Sequence, residues 1–271
     1  MSTSPIQLLR EAKRNKQRLA MISLYDAPTS ILACDAGADL LLVGDSLGNV
    51  VLGFDHFLDA TISDMVRHTG AVVRGVRASS RSRVPVFADL PFGTYATRET
   101  AAQNGAELMR AGADGLKLEG ANDDALAAIR VLTSMGAPVC GHLGFTPQSS
   151  LLFEGIVQGK TAPHAQRLFD EARALQDAGC CALVLEATTR EVAARITQEL
   201  DIVVIGIGAG EGCDGQVLVW HDLVGLSPGK FRFVKRYLEA REILGEATRQ
   251  FVEEVHNGAF PATENGWAMP D

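Results

Sequence analysis

Apolar residues in this chain fall in short unbroken runs rather than in the alternation of a sheet with one wet face. The runs predict strands at 20–25, 40–43, 84–88, 115–118, 138–141, 182–185, 202–207 and 216–220. Strands that are apolar on both faces belong to parallel sheets covered by helices. The mixed stretches between them predict helices. Thr61-x-x-Asp64 and Thr188-x-x-Glu191 read as capping boxes, and Thr97 and Asn122 as N-caps. Three strands are entered through a small-residue helix exit, at Asp35-Ala-Gly-Ala-Asp39, Arg110-Ala-Gly-Ala-Asp114 and Asp177-Ala-Gly-Cys180. Glycine there supplies a left-handed helix end without steric cost. Residues 233–256 predict a long helix whose wet side carries Lys235, Arg236, Glu239, Arg241 and Glu242, and the polar stretch 261–271 predicts a loose tail.

Eight strand–helix units leave a closed (β/α)8 barrel or an open doubly wound sheet, and the number eight favours closure. The expectation is a single α/β domain over 1–271: a TIM barrel with its core at about 20–258, a short N-terminal extension and a C-terminal helix. A length of 271 residues suits one such barrel. The segment 144–160 is too long for a simple connection and predicts a lid over the carboxyl ends of the strands.

Composition narrows the partners. A net charge of −8 gives no basic face for nucleic acid or an anionic membrane. No apolar run is long enough to span a bilayer, and the polar start with Arg10, Lys13, Arg14 and Lys16 does not resemble a signal peptide. Five cysteines form no C-x-x-C pair, which argues against zinc or a disulfide framework and fits a reducing cytoplasm.

Four strands end on an acid: Asp45, Asp89, Glu119 and Glu186. In α/β folds the carboxyl ends of the strands carry the chemistry. Acids gathered there repel one another, and a divalent cation is the simplest compensation. Asp45 and Asp89 end neighbouring strands and can hold Mg²⁺; a turn cap is the alternative for either one. Ser46 follows Asp45 and can meet an anionic ligand. Lys117 shares a strand face with Glu119 and either neutralises a substrate carboxylate or forms a structural ion pair. His142 ends the fifth strand and is either a donor to a reacting oxygen or a core histidine. Glu186 stands away from the metal pair and is free to act as a base, with helix capping as its alternative. Gly206-Ile-Gly-Ala-Gly210 lacks the third glycine of a dinucleotide fingerprint, because Glu211 occupies its place.

Six ordered blocks carry a resemblance: Val43-Gly-Asp-Ser-Leu-Gly48, Ala88-Asp-Leu-Pro-Phe92, Leu116-Lys-Leu-Glu-Gly120, Val139-Cys-Gly-His-Leu-Gly-Phe-Thr-Pro-Gln148, Leu185-Glu186 and Val204-Ile-Gly-Ile-Gly-Ala-Gly210. With them the chain resembles the ketopantoate hydroxymethyltransferases, within the phosphoenolpyruvate mutase/isocitrate lyase-like barrels. The resemblance implies Mg²⁺ held by Asp45 and Asp89 with Glu119 close to it. It implies a 2-oxo acid bound by Ser46 and Lys117, against the metal acids Asp45 and Asp89 and near His142, with Glu186 as base. It further implies 5,10-methylenetetrahydrofolate as co-substrate, a homodecamer of two five-subunit rings, and a place in pantothenate synthesis. One block departs: Glu154-Gly-Ile156 stands one residue short of the family's pattern before Val157-Gln-Gly159.

Two other functions compete. A lyase or mutase of the same barrels would share the Mg²⁺ site but wants a cysteine on its lid, and 144–160 has none. A non-catalytic binding module should have lost mouth acids, and all four are present.

Overall fold

The computed structural model describes residues 4–229 and 231–269. Eight parallel strands close into a barrel in chain order. They are β1 (Leu19–Ser23), β2 (Leu40–Val43), β3 (Val86–Asp89), β4 (Gly115–Glu119), β5 (Val139–Gly144), β6 (Ala182–Glu186), β7 (Val203–Ile207) and β8 (Gly215–Val219). β8 pairs with β1 from Leu19 opposite Gly215 to Ser23 opposite Val219, which closes the ring. The helices are α1 (Pro5–Asn15), α2 (Ala27–Asp35), α3 (Leu47–Val50), α4 (Ile62–Ala78), α5 (Arg98–Ala111), α6 (Asp123–Ser134), α7 (Ala162–Asp177), α8 (Arg190–Glu199), α9 (Trp220–Leu223) and α10 (Ala240–Asn257). The chain divides into two compact units, one running to Trp220 and one from His221. The whole barrel lies in the first.

The unbroken apolar runs have the predicted cause. Along β2, Leu41 and Val43 pack outward with residues of α4 such as Val72 and Val76, while Leu40 and Leu42 point into the lumen. The lumen is filled by Phe87, Cys140, Ala182, Val184, Val203, Ile205 and Val217, and Leu9 and Ala12 of α1 join the same cluster. Gly115 belongs to this layer, because a Cβ there would collide with the Phe87 ring. The period of two then decides the mouth. Continuing the inward parity from Phe87 reaches Asp89, from Gly115 reaches Lys117 and Glu119, from Cys140 reaches His142, and from Val184 reaches Glu186.

Helix boundaries follow local chemistry. Thr61 and Asp64 form the predicted capping box of α4, and Thr97 and Asn122 cap α5 and α6. Gly37, Gly112 and Gly179, the three small-residue exits, all take positive φ. Thr188 does not cap α8. Its hydroxyl donates to the Glu186 carbonyl instead, and Thr189 stands at the N-cap without a capping bond, its hydroxyl donating to the Gly159 carbonyl.

In the second unit the helix expected from 233 begins only at Ala240. The Tyr237 and Ala240 amides donate to the carbonyls of Leu223 and Val224, and the Arg236 guanidinium donates to the Ser227 and Gly229 carbonyls. These bonds replace the i to i−4 ladder that a helix there would need. The tail holds a short 3₁₀ turn, Thr263–Asn265, and the last two residues of the predicted loose stretch lie outside the described residues. No described helix is long and apolar enough to cross a membrane.

Candidate active site

The strand-end residues meet at the carboxyl mouth. Lys117 Nζ donates to Asp89 Oδ1 at 2.8 Å, and Asp89 Oδ2 accepts the Asp45 amide at 3.1 Å. Asp45, Asp89, Lys117, Glu119 and His142 are all buried. Burial alone would lower the pKa of Lys117, but Asp89, Glu119 and Asp45 reverse that and hold it well above its ordinary value. The ammonium is therefore a fixed charge. Asp45 fares differently. Its burial, followed by the charges of Asp89 and Glu119, pushes its carboxyl up to about 8.

His142 lies between two acids. Its Nδ1 is 3.2 Å from Glu119 Oε1 and its Nε2 is 3.5 Å from Glu186 Oε2. Neither approach is aligned as a hydrogen bond, and Glu119 Oε1 and both ring nitrogens have no hydrogen-bond partner. Burial and Lys117 favour the neutral ring, yet the two carboxylates outweigh them and raise its pKa to about 9. Glu186 is the mouth acid with access to solvent, its side chain 19% exposed against 2% for Glu119 and Asp89. Directly after it Ala187 turns the chain at φ 45, in the left-handed region. That conformation costs a non-glycine residue about 1 kcal/mol.

Residues with no assigned role in the sequence complete the site. Gln148, in the 3₁₀ turn Pro147–Leu152 of the long loop, donates through its side-chain nitrogen to Asp45 Oδ2 at 2.8 Å and to the Leu90 carbonyl at 3.0 Å. Its amide donates to Glu119 Oε2 at 3.0 Å, and its side-chain oxygen accepts the Tyr95 hydroxyl at 2.7 Å. On the other side Tyr25 joins its hydroxyl to Ser46 Oγ at 2.7 Å and to Ser23 Oγ at 3.3 Å. Gly44 lets these groups come together, since a Cβ there would lie 2.8 Å from Ser23 Oγ and 2.9 Å from Ser46 Oγ. No periodicity marks these residues. Only the Thr-Pro-Gln148 block hinted at one of them.

The donor set suits a divalent cation. Four carboxylates face two cations, an acid is driven to hold a proton, and Glu119 keeps an unpartnered buried oxygen. Among the described residues no three His, Cys, Asp or Glu side chains form a ligand cluster by themselves. A cation held by two carboxylates, with water and substrate in its other positions, is the usual arrangement for Mg²⁺.

A model of the ketopantoate hydroxymethyltransferase family matches residues 4–263. The chain belongs to that family. It is 51% identical over 258 residues to the 3-methyl-2-oxobutanoate hydroxymethyltransferase of Gluconacetobacter diazotrophicus, covering 94% of this chain and 91% of that one. To the enzyme of the same name from Carboxydothermus hydrogenoformans it is 44% identical over 273 residues, covering 99% and 97%. As a ketopantoate hydroxymethyltransferase family member the chain is an enzyme, a transferase. Among solved structures it resembles a putative phosphonomutase from Burkholderia cenocepacia, with a TM-score of 0.67, 20% identity, and coverage of 90% and 99%. A phosphonopyruvate hydrolase in complex with oxalate and Mg²⁺ aligns with a TM-score of 0.64 at 12% identity, covering 98% and 93%. At those identities the likeness establishes the barrel and no more.

Proposed function

We infer that this enzyme transfers a hydroxymethyl group from 5,10-methylenetetrahydrofolate to 3-methyl-2-oxobutanoate, giving ketopantoate for pantothenate synthesis. The donor supplies the methylene carbon and water supplies the hydroxyl. One observation carries the reading: in a member of this family, a solvent-reached carboxylate, Glu186, stands beside a buried cluster of Asp45, Asp89, Lys117 and Glu119.

Asp45 and Asp89 would hold Mg²⁺, with Glu119, already bonded to the Gln148 amide, reaching it through water. The bound cation would supply positive charge where negative charge develops on the 2-oxo oxygen. Lys117 and Ser46 hold the carboxylate of the 2-oxo acid, the first by charge and the second by its hydroxyl. Water frees the methylene carbon from both folate nitrogens, releasing tetrahydrofolate and leaving that carbon at the formaldehyde level. Glu186 takes the proton from C3, and the electron pair left behind forms the C–C bond to that carbon as its oxygen gains a proton and becomes the new hydroxyl. His142, charged between Glu119 and Glu186, steadies the base and faces the substrate. The free thiols of all five cysteines suit a reducing cytoplasm. The reading extends to a homodecamer, which sedimentation would test.

Proton exchange separates the first step from the second. Wild-type enzyme should exchange the C3 proton of 3-methyl-2-oxobutanoate with D₂O without folate, and form ketopantoate only with it. Glu186→Gln should still bind the 2-oxo acid but lose exchange by about 100-fold or more, the worth of a general base. Wild-type exchange in that variant would move the base to another residue, His142 first.

A further inference from the structure

Gln148 touches three strand ends at once, those at Asp45, Leu90 and Glu119. Its side-chain nitrogen spends its two hydrogens on Asp45 Oδ2 and the Leu90 carbonyl, and its oxygen takes the Tyr95 hydroxyl. Its backbone amide binds Glu119 Oε2. The Tyr95 bond fixes which way the carboxamide faces, because a phenol held protonated by burial donates to the oxygen and leaves the nitrogen for Asp45. Gln148 thus engages Oδ2 of Asp45, and among the described residues no hydrogen bond reaches Oδ1. The same residue is second in the 3₁₀ turn, Pro147–Leu152, that carries Leu151 and Leu152, both 85% exposed, so the seat of Gln148 is also near the root of the loop's outer part.

We propose that Gln148 is a positioning residue that couples the cation site to the loop: it aims Asp45 and Glu119 at the cation, and in return a bound cation orders the residues after it. Coupling of this kind is reciprocal, so whatever unseats Gln148 weakens the cation, and whatever removes the cation loosens the loop. The proposal rests on the cation site inferred above, and the test tells the two apart.

Mn²⁺ binding, read by electron paramagnetic resonance, and chymotryptic cleavage at Leu151 and Leu152 are measured on wild type, Asp89→Asn, Gln148→Met and Tyr95→Phe. Wild type should bind Mn²⁺ and be cut more slowly with it. Gln148→Met, similar in size without the hydrogen bonds, should bind Mn²⁺ about 10-fold to 100-fold more weakly, the usual effect of removing a partner of a metal ligand. Its cleavage should not respond to Mn²⁺ at concentrations that protect the wild type. Tyr95→Phe removes only the hydroxyl that orients the amide, and should weaken Mn²⁺ about threefold. It carries the test if Gln148→Met does not fold. A merely structural role would lower the melting temperature and leave the Mn²⁺ affinity of the folded protein unchanged. Wild-type Mn²⁺ affinity in both variants, with binding lost in Asp89→Asn, would overturn the coupling alone. Equal binding by wild type and Asp89→Asn would overturn the cation site with it.

Discussion

Lys117 and Asp89 sit opposite each other on adjacent strands and form an ion pair at 2.8 Å, with 5% and 2% of their side chains exposed. Neither charge is solvated, so each is tolerable only because of the other and of the second bond from the Asp45 amide to Asp89. Lys117 thus sets a fixed positive charge against one of the two carboxylates proposed to hold the cation.

Lys117→Met should therefore leave Asp89 buried without its counter-charge, at a cost of about 3–5 kcal/mol. Urea unfolding of the cation-free protein measures it. Lys117→Arg should not restore wild-type behaviour, because a planar fork does not replace a compact ammonium in a filled site. Wild-type stability in the Met variant would overturn the role of Lys117 as the counter-charge of Asp89.

Asp89→Asn should lower Mg²⁺ affinity and turnover together, since it removes one of two carboxylates proposed to hold the cation. Titration calorimetry and product formation read the two effects. Undiminished activity of the wild type in excess chelator would remove the cation from the mechanism.

The cation-free protein should lose stability as pH rises from about 4 to 9. A native carboxyl with its pKa raised to about 8 keeps a proton that the unfolded chain releases near pH 4, so Asp45 favours the folded state at low pH and stops doing so through 8. His142, raised to about 9, has the same sign: its contribution is full below 6.5 and is lost through 9. Denaturation midpoints at pH 6, 7.5 and 9 test this, and Asp45→Asn should flatten the lower part of the profile. Because a cation needs Asp45 ionised, its binding near pH 7 should release protons, visible in calorimetry as heats that depend on the buffer.

Gly75→Ala should cost about 1–3 kcal/mol by overpacking. Gly75 lies inside α4 where α2 crosses, and an added Cβ would collide with Ser30 Oγ and the Ala27 carbonyl and lie 2.8 Å from the Ala27 Cα. Backbone cannot step aside as a side chain can. Thermal unfolding checks the loss, and the folded variant should keep its turnover.

The barrel could be read from the sequence because each strand is buried on both faces, which writes continuous apolar runs such as Leu40–Val43 and Ala182–Leu185 in plain view. The strand-end acids were readable for the same reason, since each breaks such a run. Gln148, Tyr95, Tyr25 and Ser23 were not. Gln148, Tyr95 and Tyr25 act through bonds to residues far along the chain, Gln148 to Asp45 across 103 positions, and nothing in a local pattern encodes such a partner; Ser23 joins them through Tyr25. Thr188 and the segment 233–239 misled because local signals there, a capping box and a helical face, lost to bonds with the Glu186 carbonyl and with the carbonyls around 223–229. At 233–239 longer-range bonds replaced the helical ladder, whereas at Thr188 the hydroxyl turned to a carbonyl only two residues back.

The long loop is an arch with both feet on one plank. Phe145 donates to the Glu186 carbonyl at 2.9 Å, Gln158 donates to the Ala187 carbonyl at 2.8 Å, and the Thr189 amide returns to Gln158 at 3.0 Å. Gly144 presses so close to the Glu186 carbonyl that no side chain fits. An arch so footed does not swing open like a door. It can only flex at its crown, between Ser149 and Val157, and a push on the crown is carried down both legs to the stretch of backbone that holds Glu186.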